Sequence, residues 1–74
     1  MNYDLDTEEG LANAIEWTNN VLDHLKEGGV WYVPRSCSTV QVVSHERKEI
    51  KCASLLPDPS LHRVLREAGW TNIK

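Results

Sequence analysis

Five side chains in this sequence are of the types that ligate metals or assist nucleophiles: His24, Cys37, His45, Cys52 and His62. A zinc site gathers such residues at short spacings, CxxC or HxxxH, because one turn of chain must bring two ligands to the same ion. No two of these five are spaced in that way. Two cysteines are also too few for a disulfide framework, so Cys37 and Cys52 are expected as free thiols, with no metal and no cofactor. The run Ser36-Cys37-Ser38 could in principle supply a nucleophile, with His45 or His62 as its base. It has neither a GxSxG elbow nor a cysteine-protease signature. Neither GxxxxGK[ST] nor GxGxxG occurs, so nothing cradles a phosphate. Short polar side chains between two strand patterns are what a turn uses. The chain reads as a non-enzyme.

The elements that must position any surface are few. Seventy-four residues allow one domain, 1–74, and a chain of this size buries only about 60% of its unfolded surface. No apolar run approaches the ~20 residues of a membrane span. The start, Met1-Asn2-Tyr3-Asp4-Leu5-Asp6, is acidic and lacks the apolar stretch of a signal peptide. The expected compartment is the cytoplasm.

Leu11, Ala14, Ile15, Thr18, Val21, Leu22 and Leu25 recur at three- and four-residue steps and predict a helix over 7–27, with Trp17 at the margin of the stripe. Asp6 or Thr7 is its N-cap, Asp6 with Glu9 resembling a capping box, and Gly28-Gly29 stops it. Gly10 is its weak point. Val30-Trp31-Tyr32-Val33, closed by Pro34, reads as a strand. Thr39–Ser44 reads as a second and Glu49–Leu55 as a third, the last two joined by the loop His45-Glu46-Arg47-Lys48. Asp58 and Pro59 open a second helix over 59–68, and Gly69 with Trp70 predicts a Schellman end over Leu65. The expected fold is α+β in the order α-β-β-β-α: a three-stranded antiparallel meander with two helices on one face. Its expected core is Leu11, Ile15, Val21, Leu22, Leu25, Val42, Ile50, Cys52, Leu61, Val64 and Leu65.

The formal charge of −3 hides an asymmetry: residues 1–27 carry −6 and residues 28–74 carry +3. Packed elements of opposite sign, or two faces for two partners, would both account for it. The sheet's open face is the first candidate surface. Trp31 and Tyr32 are adjacent on a strand, so alternation puts one of them there. An aromatic anchor ringed by Arg35, Arg47, Lys48 and Lys51 has the composition of an interface hot spot. The second candidate is the acidic face of the first helix: Glu16, Asn20, Asp23 and Glu27. The predicted function is a protein-interaction module that binds a protein partner or a second copy of itself, with no membrane contact. The alternative is a nucleic-acid-binding or transcription-modulating domain using Arg47, Lys48, Lys51, Arg63 and Arg66.

Two resemblances bear on these readings. The α-β-β-β-α order resembles the double-stranded RNA-binding domain across nearly the whole chain. That family's basic run at the start of its second helix is replaced here by Leu56-Pro57-Asp58-Pro59-Ser60, so no functional residue carries over. The stretches Gly28-Gly29-Val30-Trp31-Tyr32-Val33-Pro34, Leu56-Pro57-Asp58-Pro59-Ser60 and Arg66-Glu67-Ala68-Gly69-Trp70 resemble, in layout, small early or accessory proteins of tailed bacteriophages. That resemblance implies a protein that binds and redirects a host enzyme in the host cytoplasm.

Overall fold

Periodicity and capping residues set most of the elements in the computed structural model, which describes residues 2–73. Helix α1 spans Glu8–Asp23, strand β1 Val30–Val33, β2 Ser38–Ser44, β3 Glu49–Ser54, helix α2 Pro59–Glu67 and strand β4 Thr71–Asn72. A 3-10 turn, Pro34–Ser36, joins β1 to β2. The α+β class holds. The three-stranded antiparallel meander does not, because β4 adds a fourth strand and makes the sheet mixed. Its order is β1-β2-β3-β4, with β3 and β4 parallel.

The N-cap of α1 is Thr7, whose side chain accepts from the Gly10 amide. The helix stops at Asp23, four residues short of the expected end. The chain must leave it there to bring Gly28 and Gly29 alongside Val42: Gly28 N donates to the Val42 carbonyl at 2.7 Å and Val42 N to that of Gly29 at 3.0 Å. Gly28 has φ +90°, a conformation glycine adopts without strain. The four-residue loop His45–Lys48 is as expected, with Ser44 opposite Glu49. Helix α2 closes in a Schellman motif: Trp70 N donates to the Leu65 carbonyl and Gly69 N to that of Arg66, both at 3.0 Å, with Gly69 at φ +92°.

Both helices lie on one face. Val40, Val42 and Ile50 on that face of the sheet form one buried cluster with Leu22 of α1 and with Leu61, Leu65, Ala68 and Trp70. Five expected core residues, Leu11, Ile15, Val21, Leu25 and Cys52, are only half-buried. The innermost line of α1 is instead Gly10, Ala14, Thr18 and Leu22, at every fourth residue. The molecule is 17 Å thick in its shortest dimension, one sheet plus one helix layer, and the other sheet face is uncovered.

Candidate functional site

Strand alternation decides between the two adjacent aromatics. Trp31 lies opposite Val40, on the helix side, and packs half-buried against the core. Tyr32 points to the open face and is 54% exposed, as is Val30 at 52%. Tyr32 is therefore the aromatic on the open face. A hydrogen bond with the Cys37 side chain, followed by the charge of Cys37, raises the Tyr32 phenol above its ordinary pKa of 10.0.

Trp31 belongs to an aromatic row along the margin of β1. Its ring meets Trp17 edge-on at 5.3 Å, and Trp17 meets Tyr3 at 6.4 Å, also edge-on. Trp17 is 49% and Tyr3 46% exposed. The row borders a groove of about 770 Å³ between the N-terminal segment, α1 and the first turn of α2, with Arg35, Pro59, Arg63 and Val64 on its far side. Tyr3 and the groove had no signal in the sequence, since residues 3 and 63 meet only once both helices dock. Trp17 had one, in its place at the margin of the helical stripe.

The basic ring does not form. Arg35 donates one nitrogen to both carboxylate oxygens of Asp58, each at 3.0 Å, at the N-cap of α2. Lys48 lies at the other end of that nine-residue helix, its ammonium 5.5 Å from the centre of the Trp70 ring. Those ends are separated by about 13 Å along the axis. Arg47 is exposed in the hairpin loop, and Lys51 stands on the open face beside Gln41. Of the six expected residues, only Tyr32 and Lys51 share the open face. Of the expected acidic face, Glu16, Asn20 and Asp23 do share one exposed side of α1, and Glu27 does not. Glu27 lies beyond the end of α1, where its carboxylate accepts from the His45 amide at 3.0 Å. The Asn20 carbonyl accepts from the His24 ring at 2.6 Å, and Glu16 and Asp23 are exposed.

The serine run is occupied internally. Ser36 donates to Asp58 at 2.8 Å and lies 2.5 Å from the Ser38 hydroxyl, which pairs in turn with Ser54 at 2.7 Å. Ser36, Ser38 and Asp58 are all buried. Burial alone would push the Asp58 carboxyl up. Hydrogen bonds from Ser36, Arg35 and the Leu61 amide, together with the Arg35 charge, outweigh it and hold the carboxyl below its usual 3.8. This network ties the β1–β2 turn to the start of α2. His45 sits at the hairpin end of β2, about 20 Å along the strand from Ser38. Its ring donates to the Leu25 carbonyl at 2.6 Å and packs edge-on against Trp70. His62 is exposed on α2. Cys37 and Cys52 are unpaired thiols, and among the described residues no three His, Cys, Asp or Glu side chains gather where they could hold an ion.

No family model, curated protein sequence or solved structure matches this chain. The reading of function stands on the geometry and on the sequence itself. Among the described residues, no helix is long and apolar enough to cross a membrane.

Proposed function

We propose that this chain is a non-enzymatic protein-interaction module whose contact surface is the β1 margin: the open side of β1, Tyr32 and Val30 on one face of it, and the Trp17–Tyr3 row on the other. The observation that carries this reading is the placement of the exposed aromatics. Tyr3, Trp17 and Tyr32 stand about half in water along one side of the molecule. Large aromatics with apolar neighbours and a polar rim are the anchors of interfaces, since they exchange much hydrated surface for little conformational entropy. Scattered cations favour this reading over phosphate binding, which needs clustered charge. A host enzyme is the partner class implied by the phage-like layout.

The test is capture by the immobilised protein from a lysate of the source cell, comparing the parent with Tyr32→Ser and Trp17→Ser. Both positions are half-exposed, so the variants should fold. A specific protein held by the parent and lost at least tenfold in both variants is the expected result, equivalent to ~1.4 kcal/mol. Capture indifferent to both substitutions removes the β1 margin as the surface. Capture of nucleic acid with steep salt dependence replaces the reading with the phosphate-binding one.

A further inference from the structure

The outer side of β1 presents an ordered array of unpaired backbone groups. Hydrogen bonds alternate along an antiparallel strand, so only every second residue bonds to a given neighbour. On β3, Ile50 faces the β4 side, accepting from Ile73 N at 2.8 Å, and Cys52 N donates to Asn72 Oδ1 on that same side. Glu49, Lys51 and Ala53 therefore face β2. They pair there with Ser44, Gln41 and Thr39, which leaves Ser38, Val40 and Val42 to bond toward β1. Their partners on β1 are Val33 and Trp31. The amides and carbonyls of Val30 and Tyr32 thus point away from the sheet, and among the described residues no hydrogen bond to them is found.

Proteins commonly protect such an edge by keeping the strand short, or with a lysine or proline, an inward charge, a bulge or a covering loop, and of these β1 has its four-residue length and the Pro34 that closes it. The sequence Val-Trp-Tyr-Val carries no charge at all. The opposite edge of the sheet is only the two residues of β4.

We infer that the occupant of this edge is a second copy of the chain, paired antiparallel across a two-fold axis at Trp31 to make one continuous eight-stranded sheet. This rests on the reading of the β1 margin as an interaction surface. In the register centred on Trp31, Val30 lies opposite Tyr32 of the other copy, and all four outward groups of each strand are used, giving four interchain backbone hydrogen bonds. Moving the centre to Val30 sets Tyr32 against Gly28, whose amide is already bonded to Val42. Moving it to Tyr32 sets Val30 against Pro34, which has no N–H and begins the 3-10 turn.

The side chains fit the same register. On the open face it makes two Val–Tyr cross-strand pairs, a favourable combination of β-branched and aromatic residues. On the helix face it sets Trp31 against its symmetry mate and continues the row Tyr3–Trp17–Trp31 into the same row of the second copy. Along the helix above and below Trp17 the charge is low, with Glu16 beside it and Asp4 beside Tyr3 the nearest acids in sequence. The residues one turn from Trp17 on α1, Asn13, Ala14, Asn20 and Val21, are neutral, and Arg35 is paired with Asp58.

The area sets the strength. Tyr3, Trp17, Val30 and Tyr32, each about half in water, offer on the order of 100 Å² apiece, about half the ~800 Å² per partner of a standard interface before the backbone edge is counted. An interface of that size is at the small end of specific contacts, so a weak, reversible dimer is the form to test for.

The experiment is sedimentation equilibrium of the full chain from about 1 to 500 μM. The parent should pass from monomer to dimer over that range. Val30→Lys with Tyr32→Lys, which sets lysines side by side across the axis at exposed positions, should weaken association at least tenfold with an unchanged circular dichroism spectrum.

Register is read by cross-linking in a Cys37→Ser, Cys52→Ser background. Val30→Cys mixed with Tyr32→Cys should form the heterotypic disulfide in preference to either homotypic one. Directly opposed hydrogen-bonded residues have Cα atoms ~5.5 Å apart, within disulfide reach, whereas two Val30 residues lie roughly 8–9 Å apart.

A chain that stays monomeric throughout overturns the second copy. If its lysate capture still depends on Tyr32 and Trp17, the interaction surface survives with another occupant. A dimer indifferent to the lysine pair, or cross-linking without heterotypic preference, also overturns the edge-to-edge pairing.

Discussion

Asp58 serves three structures at once. It caps α2 by accepting from the Leu61 amide at 3.1 Å, accepts from buried Ser36, and pairs with Arg35. Asp58→Ala removes the cap, the carboxylate that accepts from Ser36 and the partner of Arg35, so about 2–4 kcal/mol of stability should be lost in urea unfolding at neutral pH. The pH dependence has a definite sign. The carboxyl titrates lower in the folded chain than in the unfolded one, so its contribution is full above the unfolded value near 3.8 and fades as pH falls through the folded value. The gap in stability between the parent and Asp58→Asn should therefore narrow between pH 5 and pH 2. A gap that stays constant would mean that the Asp58 charge contributes nothing to folding. Arg35, expected at an interface, is committed to this carboxylate because Asp58 lies 23 residues on, a contact no local pattern encodes.

Among the elements, α1 shows how tertiary packing can reverse a local preference. Helix propensity alone makes Gly10→Ala stabilising by roughly 0.5–1 kcal/mol. In the folded protein the backbone of Asp4 lies against Gly10 where a Cβ would be, while Thr7 Oγ1 donates to the Asp4 carbonyl at 3.0 Å. Alanine must displace that segment, and overpacking of this kind costs about 1–3 kcal/mol. The expected outcome is a net loss in thermal unfolding, together with changed Trp17 fluorescence as Tyr3 moves from its ring. A gain in stability would mean that the N-terminal segment is not held there. Helix α2 behaves as its residues suggest, because its cap, its Pro59 and its Schellman glycine are all local signals.

At the scale of the whole molecule, one small cluster carries the fold. Leu22 is fully buried, where α1 reaches the core residues of the sheet and α2. Leu22→Ala should cost about 2–5 kcal/mol in urea unfolding. A loss below about 0.5 kcal/mol would mean that α1 docks by some other contact. The margin built from Tyr3, Trp17, Val30 and Tyr32 lies outside this cluster, which is why substitutions there can test binding without unfolding the chain.

Sequence by itself determined the two helices, the three antiparallel strands, the hairpin loop and the α+β class. Each depends on neighbours within a few residues: a capping side chain, a 3.6- or two-residue period, a glycine in a left-handed turn. The tertiary structure alone decided the rest. Strand β4 exists because Thr71 N reaches the Lys48 carbonyl and Ile73 N that of Ile50, both at 2.8 Å. Two residues, Thr71-Asn72, carry no period from which a strand could be read. Alternation says that Trp31 and Tyr32 face opposite ways, but their phase follows from which side the helices cover. The cations were visible as a group of charges. Their dispersal was not, because Arg35 and Lys48 are drawn to opposite ends of α2 by partners 23 and 22 residues further along the chain. Local structure follows from spacing, whereas the composition of a surface follows from long-range contacts that form only when the core closes.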